Sequence, residues 1–317
     1  MATVENRQDA AGHLIADWGG VSVSFTWFGV RKALSADQKA EAADHFDADA
    51  KFFSAAKKLL DTKHESFRAV SAVKREIQDF WKGNTLPYPE PGVRIIRQDC
   101  IDAFVAGMQG LREKLAAAVR GLDNVYYELR QVARQRLGSL YNHADYPGSL
   151  VGMFEVEWDF PNLQPPTYMM ANPTLYAEQS ARVAARFEQA VTMAEDAFVG
   201  ELAKLVQNLQ DKLAGKADGV LKRLHDVNVT DLLEFFETFR KLNIHSSEQL
   251  DGIVEQAQKA LTLNGLFDDG VSADQLRESP SLQNAVATRL SAVSAQLDGL
   301  MVSRPRRNIN RRGKNEE

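Results

Sequence analysis

The sequence has one cysteine, no long apolar run and none of the common catalytic motifs. Cys100 is the single cysteine among 317 residues, so no disulfide can form within the chain and a reducing compartment is expected. No apolar run approaches the ~20 residues that a membrane span needs. Residues 1–9 mix acids and bases and lack the apolar core of a signal peptide. We therefore expect a cytoplasmic protein with no membrane partner.

Several short motifs that mark catalytic or cofactor sites are also missing. The chain contains no GxxxxGK[ST] or GxGxxG phosphate loop, no HExxH, no CxxC and no GxSxG. We therefore predict no cofactor and no metal, and we favour a protein without catalytic activity. The net charge of −5 does not by itself indicate a nucleic-acid partner.

Prolines are concentrated in two islands within an otherwise helix-forming chain. Eight of the ten lie between Pro87 and Pro173. Proline lacks a backbone donor and disfavours helix in the residue before it, so the islands mark where helices end and begin. Helices are predicted over 36–82, 99–137, 174–214, 229–241, 246–261 and 281–302. The first opens with a capping box at Ser35, carries Phe46 on its apolar side, and restarts or continues at 62–65. Asn172-Pro173 is a start signal for the helix over 174–214, and Ser272 opens a later helix with a capping signal.

Two segments alternate apolar and polar residues in the period-two pattern of a half-buried strand, namely 21–28 and 153–160. We predict that they pair antiparallel, with 93–96 as a third candidate strand. Segment 99–137 keeps a heptad repeat of apolar residues, which is typical of a long helix packed on another. The predicted fold class is α+β and predominantly α. Its spine is a long antiparallel helical hairpin or coiled coil (99–137 with 174–214), with a small antiparallel β-sheet at one end.

Composition and breaks divide the chain into four predicted segments. Gly215 and Gly219 interrupt the helical pattern, and the C-terminus is basic with little that is apolar. The segments are a disordered leader (1–10), a helical-hairpin domain with the small sheet (11–215), a C-terminal helical module (216–302) and a disordered basic tail (303–317).

Three groups of residues are candidates for chemistry. The stretch 44–49 contains ligand-type side chains, but on a helix they divide between two faces, so a solvated acidic surface is favoured over a metal site. His143 and Asp145 share a loop and could do acid–base work, although no nucleophile motif accompanies them. Cys100 stands near a helix N-terminus, which could lower the pKa of its thiol, but a packed thiol is favoured.

Two further surfaces are candidates for partner binding. Tyr88 and Pro89 belong to an alternating proline island that could be a polyproline II ligand, although a stiff connector that lays the aromatic ring on the core is favoured. Glu155, Glu157 and Asp159 form the acidic face of the second strand. That face could attract a basic partner or a metal, or it could be only the solvent-exposed face of the sheet.

The C-terminal tail is a candidate nucleic-acid-binding segment. Its cations could bind phosphate backbones or an acidic protein, or could only aid solubility, and no aromatic residues are interleaved for base stacking. The cations are Arg304, Arg306, Arg307, Arg311, Arg312 and Lys314.

Three short stretches, with an aromatic alternating strand after them, form a recognisable order along residues 20–215: Arg31-Lys-Ala-Leu-Ser35, Lys57-Lys-Leu-Leu60 and Tyr126-Tyr-Glu-Leu-Arg130. In this order the chain resembles a bacterial and phage family of helical domains of unknown function. Genes of that family often lie beside those of MoxR-type AAA+ ATPases and von Willebrand A-type proteins. The resemblance implies an accessory or substrate-linking role beside such an ATPase, and it supplies no catalytic residues.

The leading expectation is a non-catalytic protein-interaction or scaffold protein. If the resemblance is followed, it is an accessory of an AAA+ ATPase system. Its partner would be the ATPase or a von Willebrand A protein, and self-association into a homo-oligomer is left open. The alternatives are a nucleic-acid-associated protein that binds through the tail, and an enzyme that uses His143 and Asp145.

Overall fold

The computed structural model describes residues 4–49, 51–213, 226–263 and 270–303. The protein is 68% helical with a small antiparallel sheet of four strands, so the predicted class, α+β and predominantly α, is confirmed. The helices are α1 (Val4–Asp17), α2 (Ala36–Asp44), α3 (Glu65–Gly83), α4 (Ile101–Asn124), α5 (Tyr126–Leu137), α6 (Pro173–Leu213), α7 (Asp226–Leu242), α8 (Glu248–Thr262), α9 (Ala273–Glu278) and α10 (Pro280–Ser303). The strands are β1 (Trp18–Trp27), β2 (Arg31–Ala33), β3 (Ala56–Lys58), β4 (Leu86–Pro87), β5 (Val93–Arg97) and β6 (Phe154–Asp159).

The chain divides into two compact units that do not follow the predicted segments. The helical unit consists of Met1–Trp18, Leu86–Pro89 and Leu163–Glu317, and the sheet unit consists of Gly19–Thr85 and Glu90–Asn162. Both units are discontinuous in sequence, whereas the prediction placed one boundary near residue 215. None of the helices in the described ranges is long and apolar enough to cross a membrane.

In the sheet unit, β1 pairs with β6 in antiparallel register, as predicted. Three of the strands of this unit lie side by side in the order β5-β1-β6, which leaves β6 at an edge, and β2 and β3 form a separate two-stranded sheet. The alternation of β6 explains its position, because Phe154 and Val156 are buried in the core while the residues between them are exposed. The third candidate strand, 93–96, is present as β5.

Helix α3 is the main helical neighbour of α4, and the two cover the core of the sheet unit. A stripe on α3 (Phe67, Val70, Val73 and Ile77) is buried, as is the heptad position Met108 of α4. The predicted helix over 99–137 is interrupted at Val125, where φ is −100° and ψ is 1°, and continues as α5.

The predicted pairing of 99–137 with 174–214 is not the arrangement found. Helix α6 packs most extensively on α10, α1 and α7, all within the helical unit, whereas α4 packs on α3 in the sheet unit. The heptad pattern indicated correctly that α4 has a long apolar seam. It could not identify the partner helix, because an apolar seam fits any complementary stripe.

The segment 36–82 forms two helices, with strand β3 between them. Ser35 caps α2 through the predicted capping box with Gln38, and the helix ends at Asp44. The chain then forms β3, which pairs with β2, and α3 begins anew at Glu65, so the helix restarts rather than continues. Phe46, expected on the apolar side of the first helix, lies beyond its end and is 68% exposed.

In the helical unit, α6 is a 41-residue helix that begins at Pro173, as the Asn-Pro signal predicts. Its ring Phe198 makes edge-on contacts with Phe235 and Phe239 of α7 at centroid distances of 6.3 and 5.0 Å. The segment predicted as a disordered leader forms α1 from Val4 onward, and α1 packs on α6. Leu14, on the apolar side of α1, is fully buried. Packing of this apolar side stabilises the helix.

Candidate functional site

The acidic outer face of β6 is the first of two sites that the structure builds from predicted residues. Glu155, Glu157 and Asp159 are all exposed, on the side of the sheet opposite the core. Each lies beside a hydroxyl residue of β1 in the strand register: Thr26 beside Glu155, Ser24 beside Glu157 and Ser22 beside Asp159. In the described residues, none of the three carboxylates forms an ion pair with a Lys, Arg or His side chain.

The backbone of β6 also has an open side. Because β6 is an edge strand, one side of it pairs with β1 and the other has no strand neighbour among the residues that the structure describes. Over the described part of the chain, no backbone hydrogen bond from a turn or loop reaches residues 154–159. We call this open side, together with the three carboxylates, the β6 edge. Such an edge presents unpaired N–H and C=O groups that can accept a further strand.

Exposed apolar side chains stand at both ends of the β6 edge. Val151 and Met153, which lead into the strand, are 59% and 37% exposed, and Phe160, which follows it, is 38% exposed. The inner face of the β1–β6 pair, by contrast, is packed by aromatic contacts. There Trp27 meets Phe154 edge-on at 4.9 Å, and the ammonium of Lys74 lies 4.1 Å from the centre of the Trp27 ring.

The second site is a buried carboxylate between two lysines. Asp145 Oδ1 lies 2.6 Å from Lys32 Nζ, and Asp145 Oδ2 lies 2.6 Å from Lys57 Nζ. The Asp145 side chain is 2% exposed and that of Lys57 is 6% exposed, whereas Lys32 is 55% exposed. Lys57 Nζ also donates to the carbonyl of Leu140 at 2.7 Å. We call these three side chains the Lys–Asp–Lys cluster.

Local structure fixes the position of Asp145. Asn142 caps a 3₁₀ turn over His143–Asp145 by accepting the Ala144 N–H at 2.9 Å. The next residue, Tyr146, donates from its hydroxyl to the carbonyl of Leu59 at 3.0 Å. The lysines come from the paired strands β2 and β3, whose register places Lys32 opposite Lys57. The cluster therefore ties the loop after α5 to this strand pair.

The electrostatics of the cluster follow from these contacts. Hydrogen bonds from Lys32 and Lys57 stabilise the ionised carboxylate and lower the pKa of Asp145 below its ordinary value. Burial raises the pKa of Tyr146 to about 12. Burial also raises the pKa of Tyr126, whose hydroxyl donates to the Pro147 carbonyl at 3.1 Å, to about 12. An aspartate held ionised between two ammonium groups acts as an anchor rather than as a proton acceptor near neutral pH.

The structure does not bring His143 and Asp145 together as a pair. His143 is exposed while Asp145 is buried, and no hydrogen bond joins the two in the portion of the chain described.

Residues 44–49 are exposed and largely non-helical, and no group of three metal-ligating side chains occurs among the described residues. Cys100 is half-buried against the core of the sheet unit.

The remaining predicted partner-binding residues belong to the helical unit. Tyr88 is buried, and its ring lies 5.4 Å from that of Phe187 on α6. This is the packing that the connector interpretation predicts for Tyr88, and it leaves little of the ring for a partner. Pro89 follows directly. The six cations of the tail, from Arg304 to Lys314, lie outside the described residues.

Sequence reasoning missed the role of Lys57 and Lys32. Lys57 falls within the segment predicted as helix, Lys32 precedes it, and lysine is normally a surface residue. The sequence Ala56-Lys57-Lys58 shows no alternation of apolar and polar residues, so no local signal indicates that Lys57 is the buried residue of β3.

Comparison with known proteins adds no relative to this description. The chain matches no family model, and no curated protein or solved structure is significantly similar to it.

Proposed function

We propose that this protein is a non-catalytic interaction component that binds an extended segment of a partner protein along the β6 edge. The observation that carries the proposal is the open edge strand itself, with three carboxylates on one face that no described Lys, Arg or His side chain pairs, and with exposed Met153 and Phe160 at its ends. Strand addition of this kind gains affinity from backbone hydrogen bonds and specificity from alternate side chains.

The other predicted site supports a binding role over an enzymatic one. Both oxygens of Asp145 are engaged by lysines, so its carboxylate is used in holding the fold. The AAA+ ATPase or von Willebrand A protein that the family resemblance implies is the partner we propose to look for first.

Site-specific photo-crosslinking tests the proposal. A photoreactive phenylalanine analogue replaces Glu157 on the β6 edge and, in a matched control, replaces Glu128, an exposed carboxylate of α5 in the same unit. We expect cross-links in native lysate from position 157 and few from position 128. Mass spectrometry should locate them in one recurring segment of one partner.

Two results would contradict the proposal. Equal cross-linking from both positions would show that contact with the β6 edge is unspecific. A complete lack of cross-links from position 157, under conditions in which position 128 reacts, would show that the edge is not a binding surface. Cross-links between copies of this chain would identify a homo-oligomer as the partner.

A second candidate function is nucleic-acid binding by the C-terminal tail, favoured by six cations between Arg304 and Lys314. Phosphate contacts of this kind release counterions, so the affinity falls steeply as salt rises. Removing residues 303–317 should abolish binding and its salt dependence in a gel-shift titration. Binding that persists unchanged would exclude the tail.

A further inference from the structure

We infer that the segment received by the β6 edge is basic, with lysine or arginine at alternate positions, and that it adds to the sheet as a strand beside β6. This inference rests on the proposed function and specifies the chemistry of its partner.

The register sets the spacing that a partner must match. Residues at i, i+2 and i+4 of a strand share one face, so Glu155, Glu157 and Asp159 form a straight row. Directly opposed residues in an added strand would have Cβ atoms about 4.5–5.5 Å from these carboxylate-bearing residues. Cations at every second position of the added strand would therefore lie opposite one carboxylate each.

The charge of the row is not neutralised within the described residues. The neighbours across the sheet are hydroxyl residues, and no described Lys, Arg or His pairs with the three acids. By contrast, the other exposed charges on this unit include pairs such as Lys114 with Glu76 at 2.6 Å. A basic strand would supply the missing counter-charges and the missing backbone partners together.

The same charges disfavour the other simple occupant, a second copy of β6. Edge-to-edge pairing of two identical strands would bring carboxylates opposite carboxylates, and like charges directly opposed are destabilising. Edge charges therefore prevent self-pairing while leaving the edge open to a strand of opposite charge. Met153 and Phe160, both more than a third exposed, would contact apolar residues at the two ends of the added segment.

Peptide binding to the full chain tests this inference. Three labelled peptides of equal length alternate threonine with lysine, with glutamine or with glutamate, and fluorescence anisotropy measures their affinity. We expect the lysine peptide to bind about tenfold more tightly than the glutamine peptide, since three cross-strand charge pairs each add a fraction of a kcal/mol. The glutamate peptide should not bind.

Two matched controls make the result specific. Replacing the row with amides (Glu155→Gln, Glu157→Gln, Asp159→Asn) should remove the preference for lysine, whereas Glu128→Gln should leave it unchanged. N-methylation of alternate peptide residues tests strand addition. Methyl groups on the residues of one parity, whose N–H groups face β6, should abolish binding, and methyl groups on the other parity should not. Equal loss for both parities would overturn strand addition.

The outcomes separate this inference from the proposed function. If the glutamine peptide binds as tightly as the lysine peptide, the partner is not selected by charge, and only the basic character is overturned. If no peptide binds, the β6 edge does not take an extended segment, and both proposals fail. Lysine binding that survives in the amide-substituted variant would place the peptide elsewhere and overturn the inference.

Discussion

Lys57 Nζ lies 2.6 Å from Asp145 Oδ2, and both side chains are more than nine-tenths buried. The pair joins strand β3 to the loop after α5, two segments that are far apart in sequence. Removing two charges from water is costly, but leaving one buried charge without its partner is costlier still. The pair is therefore an anchor whose loss should be seen in stability, and its exposed companion Lys32 provides an internal comparison.

We predict that Lys57→Met destabilises the protein much more than Lys32→Met. Lys57→Met leaves the buried Asp145 carboxylate with only the exposed lysine and should lower the free energy of unfolding by about 3 kcal/mol. Lys32 is 55% exposed, so Lys32→Met should cost less than about 1 kcal/mol. Urea denaturation followed by circular dichroism measures both.

The double variant Lys57→Met/Asp145→Leu is the informative control. It replaces both charges of the buried pair with apolar groups, and it should recover part of the stability that Lys57→Met loses. Equal effects of the two single lysine substitutions would contradict the assignment of Lys57 as the buried partner.

A second prediction concerns acid. The pKa of Asp145 is lowered in the folded protein, first by its hydrogen bond with Lys32 and then by that with Lys57. The folded state therefore holds the ionised form more strongly than the unfolded state, whose aspartate pKa is about 3.9. The resulting stability is fully present above about pH 4 and is lost as the pH falls through the lower folded value.

Comparing the wild type with Asp145→Asn across pH isolates this contribution. The variant should be clearly less stable at pH 7, and the difference in unfolding free energy should shrink as the pH falls below about 4. Glu128→Gln controls for a general loss of surface charge, because Glu128 is an exposed carboxylate of α5 in the same unit. A difference that stays constant down to low pH would show that the carboxylate charge of Asp145 does not contribute.

The sequence was sufficient to predict the β1–β6 pairing and most helix starts, because these depend on local signals. Alternation identified both strands, and the capping boxes at Ser35 and Ser272 are present as predicted. Capping and alternation are set by residues within a few positions of one another. For the same reason the acidic row of β6 could be predicted before its edge position was known.

Features that depend on distant contacts could not be predicted. The half-buried guanidinium of Arg94 donates to the side chain and carbonyl of Thr85, and its partial burial lowers its pKa to about 10. Nothing near Arg94 in sequence distinguishes it from a surface arginine. In the same way, Glu195 of α6 is buried and accepts a 2.7 Å hydrogen bond from Ser246, which follows α7. Burial of a charged residue is decided by tertiary packing, which a single sequence does not encode locally.

A third prediction concerns two glycines in the interior of α4, Gly107 and Gly110, which cannot be told apart from the sequence alone. A Cβ at Gly107 would lie 2.2 Å from the ring tip of Phe80, which is stacked on Phe104 at 5.6 Å. A Cβ at Gly110 would meet nothing within 4 Å. Gly107→Ala should therefore lower the free energy of unfolding by about 1–3 kcal/mol through overpacking.

Gly110→Ala should raise stability by about 0.5–1 kcal/mol, because alanine loses less conformational entropy than glycine on forming a helix. Thermal or urea denaturation of the two variants gives the comparison, and the opposite signs are the test. If both substitutions raise the free energy of unfolding, the Phe80 ring moves aside at little cost. The contact between α3 and α4 would then not require a glycine.

The last prediction concerns alkaline pH and the two buried tyrosines, Tyr126 and Tyr146. Burial raises the pKa of each to about 12, above the ordinary value of about 10, so the folded state favours the neutral phenol. The corresponding stability is complete below about pH 10 and is lost as the pH rises toward 12. Replacing both with phenylalanine removes their hydrogen bonds to backbone carbonyls and should cost about 1 kcal/mol each at pH 7.

The same double variant should lose less stability than the wild type between pH 10 and 12, so the two unfolding curves should converge in that range. Tyrosinate absorbance should show two fewer groups that ionise together with unfolding. Tyr127→Phe, at a site that is 64% exposed, is the control and should leave the alkaline transition unchanged. Parallel pH curves for the wild type and the double variant would contradict the prediction, because the hydroxyls would then contribute only through hydrogen bonds that are independent of pH.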